Sequence, residues 1–281
     1  MSPAPLPRGL IEVSNLCQKN CLYCGIRRGN SLCHRYRMTV DEVLESCEKA
    51  RALGYPAVAL QAGEIESEEN TRFYEEILER LAEREKAAAF SALEVTLSLG
   101  EQNEETYRRW LVAGRGRIMR YLLRIETSNP ELYAKIHPQE CSFERREECV
   151  RTLKDLGYVT GSGVMIGLPG QTEQDLERDL DWFERRKLDM IGMGPYVEEP
   201  SAPLGASDWT KETRLEKTLW MISEVRRRMP HVNIVAASAL EALDHKGREK
   251  AFMSGANVYM PNITPEKYRR EYQLYPGKTE V

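Results

Sequence analysis

Eight short apolar stretches, most of them followed by a segment with helical signals, limit what this chain can fold into. They lie at 9–14, 57–61, 93–99, 118–126, 158–166, 190–195, 232–236 and 257–260. Short apolar runs bounded by turn residues read as buried strands. Helices are expected at 39–53, 69–86, 104–113, 144–156, 172–186, 210–228 and 246–254. Thr39 with Glu42 forms a capping-box pattern, and Gly54 stops the first helix. Strands that alternate with helices imply a parallel sheet, and eight such units predict an α/β fold, a (β/α)8 barrel of the TIM type. The length of 281 residues suits one such unit. The expected organisation is a single domain over 1–281, with 261–281 as a closing C-terminal segment. No repeat beyond the βα unit and no low-complexity linker interrupts it.

The first strand runs straight into a loop with Cys17, Cys21 and Cys24 at C-x3-C-x2-C. A compact loop with that spacing can turn three thiolates toward one centre. Three thiolates around a four-iron cluster leave one iron free to bind amino and carboxylate groups of a small molecule. A second reading adds Cys33 to make a four-cysteine zinc site, although structural zinc sites usually pair C-x2-C knuckles and no second knuckle exists. A disulfide or unrelated buried thiols form a third. Seven cysteines, three of them clustered, point to a metal site in a reducing cytoplasm rather than a secreted disulfide framework. The start Met1-Ser2-Pro3-Ala4-Pro5 has no signal-peptide core, and no apolar run is long enough to cross a membrane. The net charge is -4 and arginine pairs are interleaved with glutamates, so no basic face for nucleic acid is expected.

In a barrel of this kind, function gathers at the strand C-termini. The second strand ends in Gln61-Ala62-Gly63-Glu64. There a glycine exposes backbone groups to a ligand and Glu64 can accept from an ammonium; an ordinary turn is the plain alternative. The fourth ends in Arg124-Ile125-Glu126. Glu126 can accept from ribose hydroxyls, and Arg124 can pair with a carboxylate. Spacing puts both on one face, where an unpaired guanidinium would need an anion; the alternative is a structural ion pair. Arg145 and Arg146 open the next helix, and one of them can clamp a carboxylate or both can be solvated. The stretch 161–172 is a glycine-rich turn but no P-loop, and its apolar Met165–Leu168 part can pack an adenine face. His34, His137, His231 and His245 show no ligand spacing and read as loop or surface residues. Met119, Met190, Met193 and Met221 read as core, and Cys47, Cys141 and Cys149 as buried or half-buried thiols. The charge-rich 79–86 reads as a solvated helix end.

The cysteine spacing and the preceding Tyr23 resemble the signature of the radical S-adenosylmethionine (SAM) enzymes. Within them, the chain resembles the [FeFe]-hydrogenase maturase HydE family. The matching stretches are 12–17 through 25–28, then Arg35-Tyr36-Arg37-Met38-Thr39, 95–101, 121–124, 167–172, Gly255-Ala256-Asn257-Val258-Tyr259-Met260-Pro261-Asn262 and Tyr272-Gln273-Leu274-Tyr275-Pro276-Gly277-Lys278. The resemblance implies a [4Fe-4S] cluster on Cys17, Cys21 and Cys24. It implies SAM contacts from Tyr23, Gln61, Gly63, Glu64, Ser98, Glu126, Arg146 and Leu168. It places Arg124, Thr96, Met260, Tyr272 and Tyr275 toward a small-molecule substrate. The implied activity is reductive cleavage of SAM to a 5′-deoxyadenosyl radical, in assembly of the hydrogenase active-site cofactor. An electron donor and other hydrogenase maturation proteins are the implied partners of a cytoplasmic monomer. Departures are Ile65, Ile125, the 115–119 stretch and 236–241. They leave a biotin synthase- or methylornithine synthase-like enzyme as the alternative, and a noncatalytic iron–sulfur scaffold as the reading from another class.

Overall fold

The computed structural model describes residues 5–278. The start read above for a leader, 1–4, and positions 279–281 of the expected closing segment lie outside the described residues. The strands are β1 (Leu6–Pro7), β2 (Gly9–Ser14), β3 (Ala57–Ala62), β4 (Glu94–Ser98), β5 (Met119–Leu122), β6 (Val159–Ser162), β7 (Met165–Ile166), β8 (Met190–Pro195), β9 (Asn233–Ala236) and β10 (Val258–Tyr259). Their order in the sheet is β1-β10-β9-β8-β6-β5-β4-β3-β2, with β7 also on β8, and every pairing is parallel. The two ends of that path, β1 and β2, are separated in the chain by Arg8 alone. Leu6 pairs with Val258, Pro7 with Tyr259 and Leu10 with Asn262, so one continuous register closes the ring. With β1–β2 and β6–β7 each counted as one stave, the ring has the eight staves expected from the sequence.

The helices are α1 (Val40–Ala52), α2 (Glu68–Ala87), α3 (Glu104–Ala113), α4 (Pro130–Ile136), α5 (Phe143–Asp155), α6 (Glu173–Arg186), α7 (Lys211–Arg228), α8 (Ala239–Leu243), α9 (Gly247–Met253) and α10 (Glu266–Arg269). All seven expected helices are present, each within one residue of its expected bounds. Thr39 and Glu42 make the capping box, and Thr172 with Asp175 makes a second. Ile11 and Val13 are fully buried on one face of β2, while Leu10 on the other face lines a cavity within the ring. Among the described residues no helix is long and apolar enough to cross a membrane.

Four differences from the sequence reading are physical. The fourth strand stops at Leu122 instead of 126, because Glu126 adopts a left-handed backbone (φ 65°) that no regular strand allows. The fifth divides into β6 and β7 around Gly163-Val164, and Val164 forms an isolated parallel bridge to Glu126. Gly163 is required there: a Cβ would lie 1.8 Å from the Gly192 carbonyl oxygen. Helices α4, α8 and α10 are too short to carry a readable period, although Asn129 caps α4 from just before Pro130. Within 79–86, Glu85 is buried rather than solvated, because Arg51 and Arg117 pair with it at 2.8 and 3.1 Å.

Gly163→Ala should therefore destabilise the fold by about 3 kcal/mol or more, the upper range for forcing an atom into a packed site. Val112→Ala, at an exposed position, should stay within about 0.5 kcal/mol. Urea denaturation of both variants checks the contrast.

Candidate active site

The cysteine loop is held by its own polar groups. Asn15 Nδ2 donates to the carbonyls of His34 and Glu271, each at 2.7 Å, and Asn15 Oδ1 accepts from the Tyr36 amide at 2.7 Å. The Arg35 guanidinium donates to the carbonyls of Asn15, Ile26 and Arg27 at 2.6–2.8 Å, so the loop wraps around it. Gly63 approaches so closely that a Cβ there would sit 2.2 Å from the Leu16 carbonyl oxygen. This packing brings Cys17, Cys21 and Cys24 to the wall of a cavity of about 340 Å³. Cys33 is not on that wall; its sulfur accepts from Asn15 Nδ2 at 3.6 Å. Among the described residues no three His, Cys, Asp or Glu side chains converge as ligands of one metal ion do. Burial pushes all three cavity thiols up, and the neighbouring thiols add to the rise at Cys21 and Cys24, bringing Cys24 to about 12.

Beside the thiols lies a ring of alternating charge, buried but for the half-buried Lys19. Lys19 Nζ is 3.1 Å from Glu64 and 3.2 Å from Glu101. Arg146 is 2.7 Å from Glu101 and 3.5 Å from Glu64. Burial raises the Glu64 carboxyl, and Glu101 adds to the rise; Arg146 and Lys19 oppose it. The Glu64 amide also donates to Cys17 Sγ at 3.3 Å, tying this ring to the cysteine loop. Of the two arginines that open α5, Arg146 is the one on the cavity; Arg145 turns outward to Glu148 at 3.3 Å.

Arg124 and Glu126 both face the cavity, as their spacing suggested, but they bond to each other. Arg124 Nη2 is 2.9 Å from Glu126 Oε2 and also donates to the Val164 carbonyl at 2.9 Å. The guanidinium is thus paired and about a third exposed, not an unpaired buried charge. The left-handed backbone at Glu126 costs on the order of 1–2 kcal/mol, a strain that functional sites concentrate. Hydrogen bonds from the Glu126 amide to the Gly163 carbonyl and from the Met165 amide to the Glu126 carbonyl, both 3.0 Å, hold it.

Tyr23, Gln61, Gly63, Glu64 and Ser98 line the same cavity with Glu126 and Arg146. Arg124, Met260, Tyr272 and Tyr275 do so as well. Thr96 and Leu168 do not. Thr96 lies deeper than Ser98 on the same face of β4, its Oγ1 without a hydrogen-bond partner among the described residues. Leu168 is buried behind Tyr23 and Met165, packed with Leu132 and Tyr196. His137 is a correction to the sequence reading: it is buried, stacked on Tyr133 (3.9 Å between ring centroids), with Nε2 3.2 Å from the Tyr23 hydroxyl. Burial, with Arg146 nearby, lowers its imidazole to about 3, so it stays neutral. His34, His231 and His245 are exposed as expected.

The structure adds residues to which the sequence assigned no role. Lys19, Arg248, Asn262 and Lys278 all line the cavity. Lys278 is bonded to Glu12, which is fully buried inside the ring, and to the Tyr272 carbonyl at 2.7 Å. The closing segment is thereby anchored from within the barrel. Gln61 Nε2 donates to the Tyr272 hydroxyl at 3.3 Å, and the Tyr275 hydroxyl meets Ser238 Oγ at 2.7 Å. Glu12 and Lys278 both stand in stretches that carried the family resemblance, but a pairing across 266 positions has no local signal.

Comparison with known proteins bears on this site directly. The radical SAM superfamily profile matches residues 11–183, which include the cysteine loop, Glu64, Glu126 and Arg146. The chain is similar to the [FeFe] hydrogenase maturase subunit HydE of Thermotoga maritima, with 44% identity over 271 residues, 96% of this chain and 74% of that protein. It is also similar to 3-methylornithine synthase of Methanosarcina barkeri, with 26% identity over 91% of this chain and 69% of that protein. Among solved structures, methylornithine synthase (PylB) shares the fold with a TM-score of 0.75 at 23% identity, covering 96% of this chain and 74% of that one. The maturase HydG from Carboxydothermus hydrogenoformans shares it with a TM-score of 0.79 at 19% identity, covering 99% of this chain and 64% of that one. A closed parallel barrel, three thiols at C-x3-C-x2-C on its cavity and these likenesses together place the chain in the radical SAM superfamily, and within it in the HydE family.

Proposed function

We propose that this protein reductively cleaves S-adenosylmethionine as a step in assembling the active-site cofactor of [FeFe]-hydrogenase. One observation carries the reading: the three loop thiols, the Glu64–Arg146 ring and the Arg124–Glu126 pair all border a single cavity. The HydE likeness at 44% identity supports the hydrogenase assignment over a methylornithine or biotin synthase reading, whose relatives stand at 26%.

The residues present fit a [4Fe-4S] cluster and SAM. Three thiols share one cavity wall, and burial holds them protonated in the absence of a cation; a coordinated thiol is deprotonated outright. When bound, the cluster supplies the electron for cleavage of the sulfonium C–S bond. Cys17, Cys21 and Cys24 are its ligands, and the wider reach of a four-iron body suits thiols that do not meet at one ion. Glu64 accepts from the methionyl ammonium and Arg146 faces the methionyl carboxylate. Glu126 accepts from the ribose hydroxyls, as acidic residues do in other nucleotide sites. Tyr23, Gln61, Gly63 and Ser98 complete the SAM contacts. Met165, rather than Leu168, offers the apolar surface for the adenine. Arg124, Met260, Tyr272 and Tyr275 bound the space for a small substrate, with Thr96 beneath them. The closing segment keeps bulk water from that space, because Lys278 ties it to Glu12 of β2 and Tyr275 ties it to Ser238. The same reading has 1–281 as one unit closed by 261–281, acting in the cytoplasm as a monomer with an electron donor and other maturation proteins.

Two measurements test these assignments. Anaerobically reconstituted protein should hold about four irons. Cys17→Ala, Cys21→Ala and Cys24→Ala should each lose them, and Cys33→Ala should not; iron loss in the Cys33 variant would restore the four-thiolate site. In cluster-loaded protein, Glu126→Ala should weaken SAM binding by about 1–3 kcal/mol, the usual loss of a charged hydrogen-bond partner. Equilibrium dialysis against SAM reads this, and unchanged affinity would remove Glu126 from the ribose.

A further inference from the structure

Helix α6 lies beside the site and contributes nothing to the cavity wall, yet two of its acids reach the chain that follows Glu126. Asp175 Oδ1 accepts from Asn129 Nδ2 at 2.9 Å, and Asp179 Oδ1 accepts from the Ser128 amide at 2.6 Å. Four positions apart, they share one face of the helix. Asp175 has a local reason to be there, since it completes the capping box with Thr172. Asp179 has none. It is fully buried, no cation pairs with it among the described residues, and its Oδ2 has no hydrogen-bond partner there. Burial raises its carboxyl to about 7, the sign of a group held at some cost. An apolar residue would fill the same space without that cost.

The one structural task it performs is the hold on Ser128. The left-handed backbone at Glu126 is gripped at its own amide by the Gly163 carbonyl and at its own carbonyl by the Met165 amide. Two residues downstream, the bond to Asp179 adds a third hold, on the turn that leaves Glu126. A strained residue keeps its conformation only while its surroundings over-determine it. We propose that Asp179 is a positioning residue for the SAM site, holding the turn after Glu126 so that the Glu126 carboxylate stays aimed into the cavity. This rests on the reading of Glu126 as the ribose acceptor.

A double-mutant cycle on cluster-loaded protein tests it, with SAM affinity read by equilibrium dialysis and iron content measured alongside. Glu126→Ala and Asp179→Ala should each weaken SAM about tenfold, and the double variant should be no worse than Glu126→Ala alone, since both act through one carboxylate. Asp179→Asn should stay within about twofold, because its side-chain oxygen still accepts from Ser128. Should Asp179→Ala fail to load iron, Asp179→Leu takes its place in the cycle, and Asp179→Asn still reports. Unchanged affinity in Asp179→Ala, losses that multiply in the double variant, or a loss in Asp179→Asn as large as in Asp179→Ala would overturn the proposal. Unchanged affinity in Glu126→Ala alone would instead overturn the ribose reading on which it stands.

Discussion

The site depends on a ring of four charges, the half-buried Lys19 and the buried Glu64, Arg146 and Glu101. Each member has an opposite charge on both sides, so the ring is neutral as a whole. Loss of one member leaves the ring with one charge unbalanced, and breaking a buried pair typically costs about 3–5 kcal/mol. The four come from four places: the cysteine loop, the end of β3, the turn after β4 and the start of α5. The ring therefore sets the position of the thiols relative to the strand ends. Lys19 stands two residues from both Cys17 and Cys21, and the Glu64 amide donates to Cys17 Sγ. A neutral polar shelf beside three thiols is also what a zwitterionic amino-acid group needs, because it offers both signs of charge without a net field.

Across the cavity, a second constraint works through the backbone. Gly163 lies against the Gly192 carbonyl with no room for a side chain, and this lets Val164 bridge to Glu126. The bridge turns the strand end so that Glu126 and Arg124 meet over the cavity. Two short elements, β6 and β7, stand where one long strand was expected, and the bridge lies between them. The closing segment completes the enclosure. Its anchor, the Lys278–Glu12 pair, is made inside the ring, so the far end of the chain and the first long strand share one buried contact.

Much of the architecture was legible because its signals are local. Capping residues such as Thr39 and Thr172 mark helix starts, and the apolar runs mark staves, so the helices and the eightfold alternation follow from neighbours in sequence. The cavity position of the cysteines, Glu64 and Glu126 was readable because strand ends and loop spacing are also local. What escaped depends on distant partners. The Arg124–Glu126 pair is different: its partners are two residues apart and an ion pair is one reading of that spacing, but its geometry needs the left-handed turn at Glu126. His137 is buried because α4, too short to show a period, lays it against Tyr133 and Tyr23. Lys19, Glu101 and Lys278 find their partners only once the barrel closes. Thr96 misses the wall because it lies deeper than Ser98 on the same face of β4, and Leu168 because it packs with Leu132 and Tyr196, which motif position does not reveal.

The central claim is that the thiols and the charged shelf on one cavity serve a single reaction of SAM. Anaerobic incubation of cluster-loaded protein with SAM and excess dithionite, with products quantified by mass spectrometry, tests it most directly. 5′-Deoxyadenosine and methionine should appear in equal amounts, and only when reductant and cluster are both present. Protein that holds about four irons and binds SAM, yet yields no 5′-deoxyadenosine under these conditions, would contradict it.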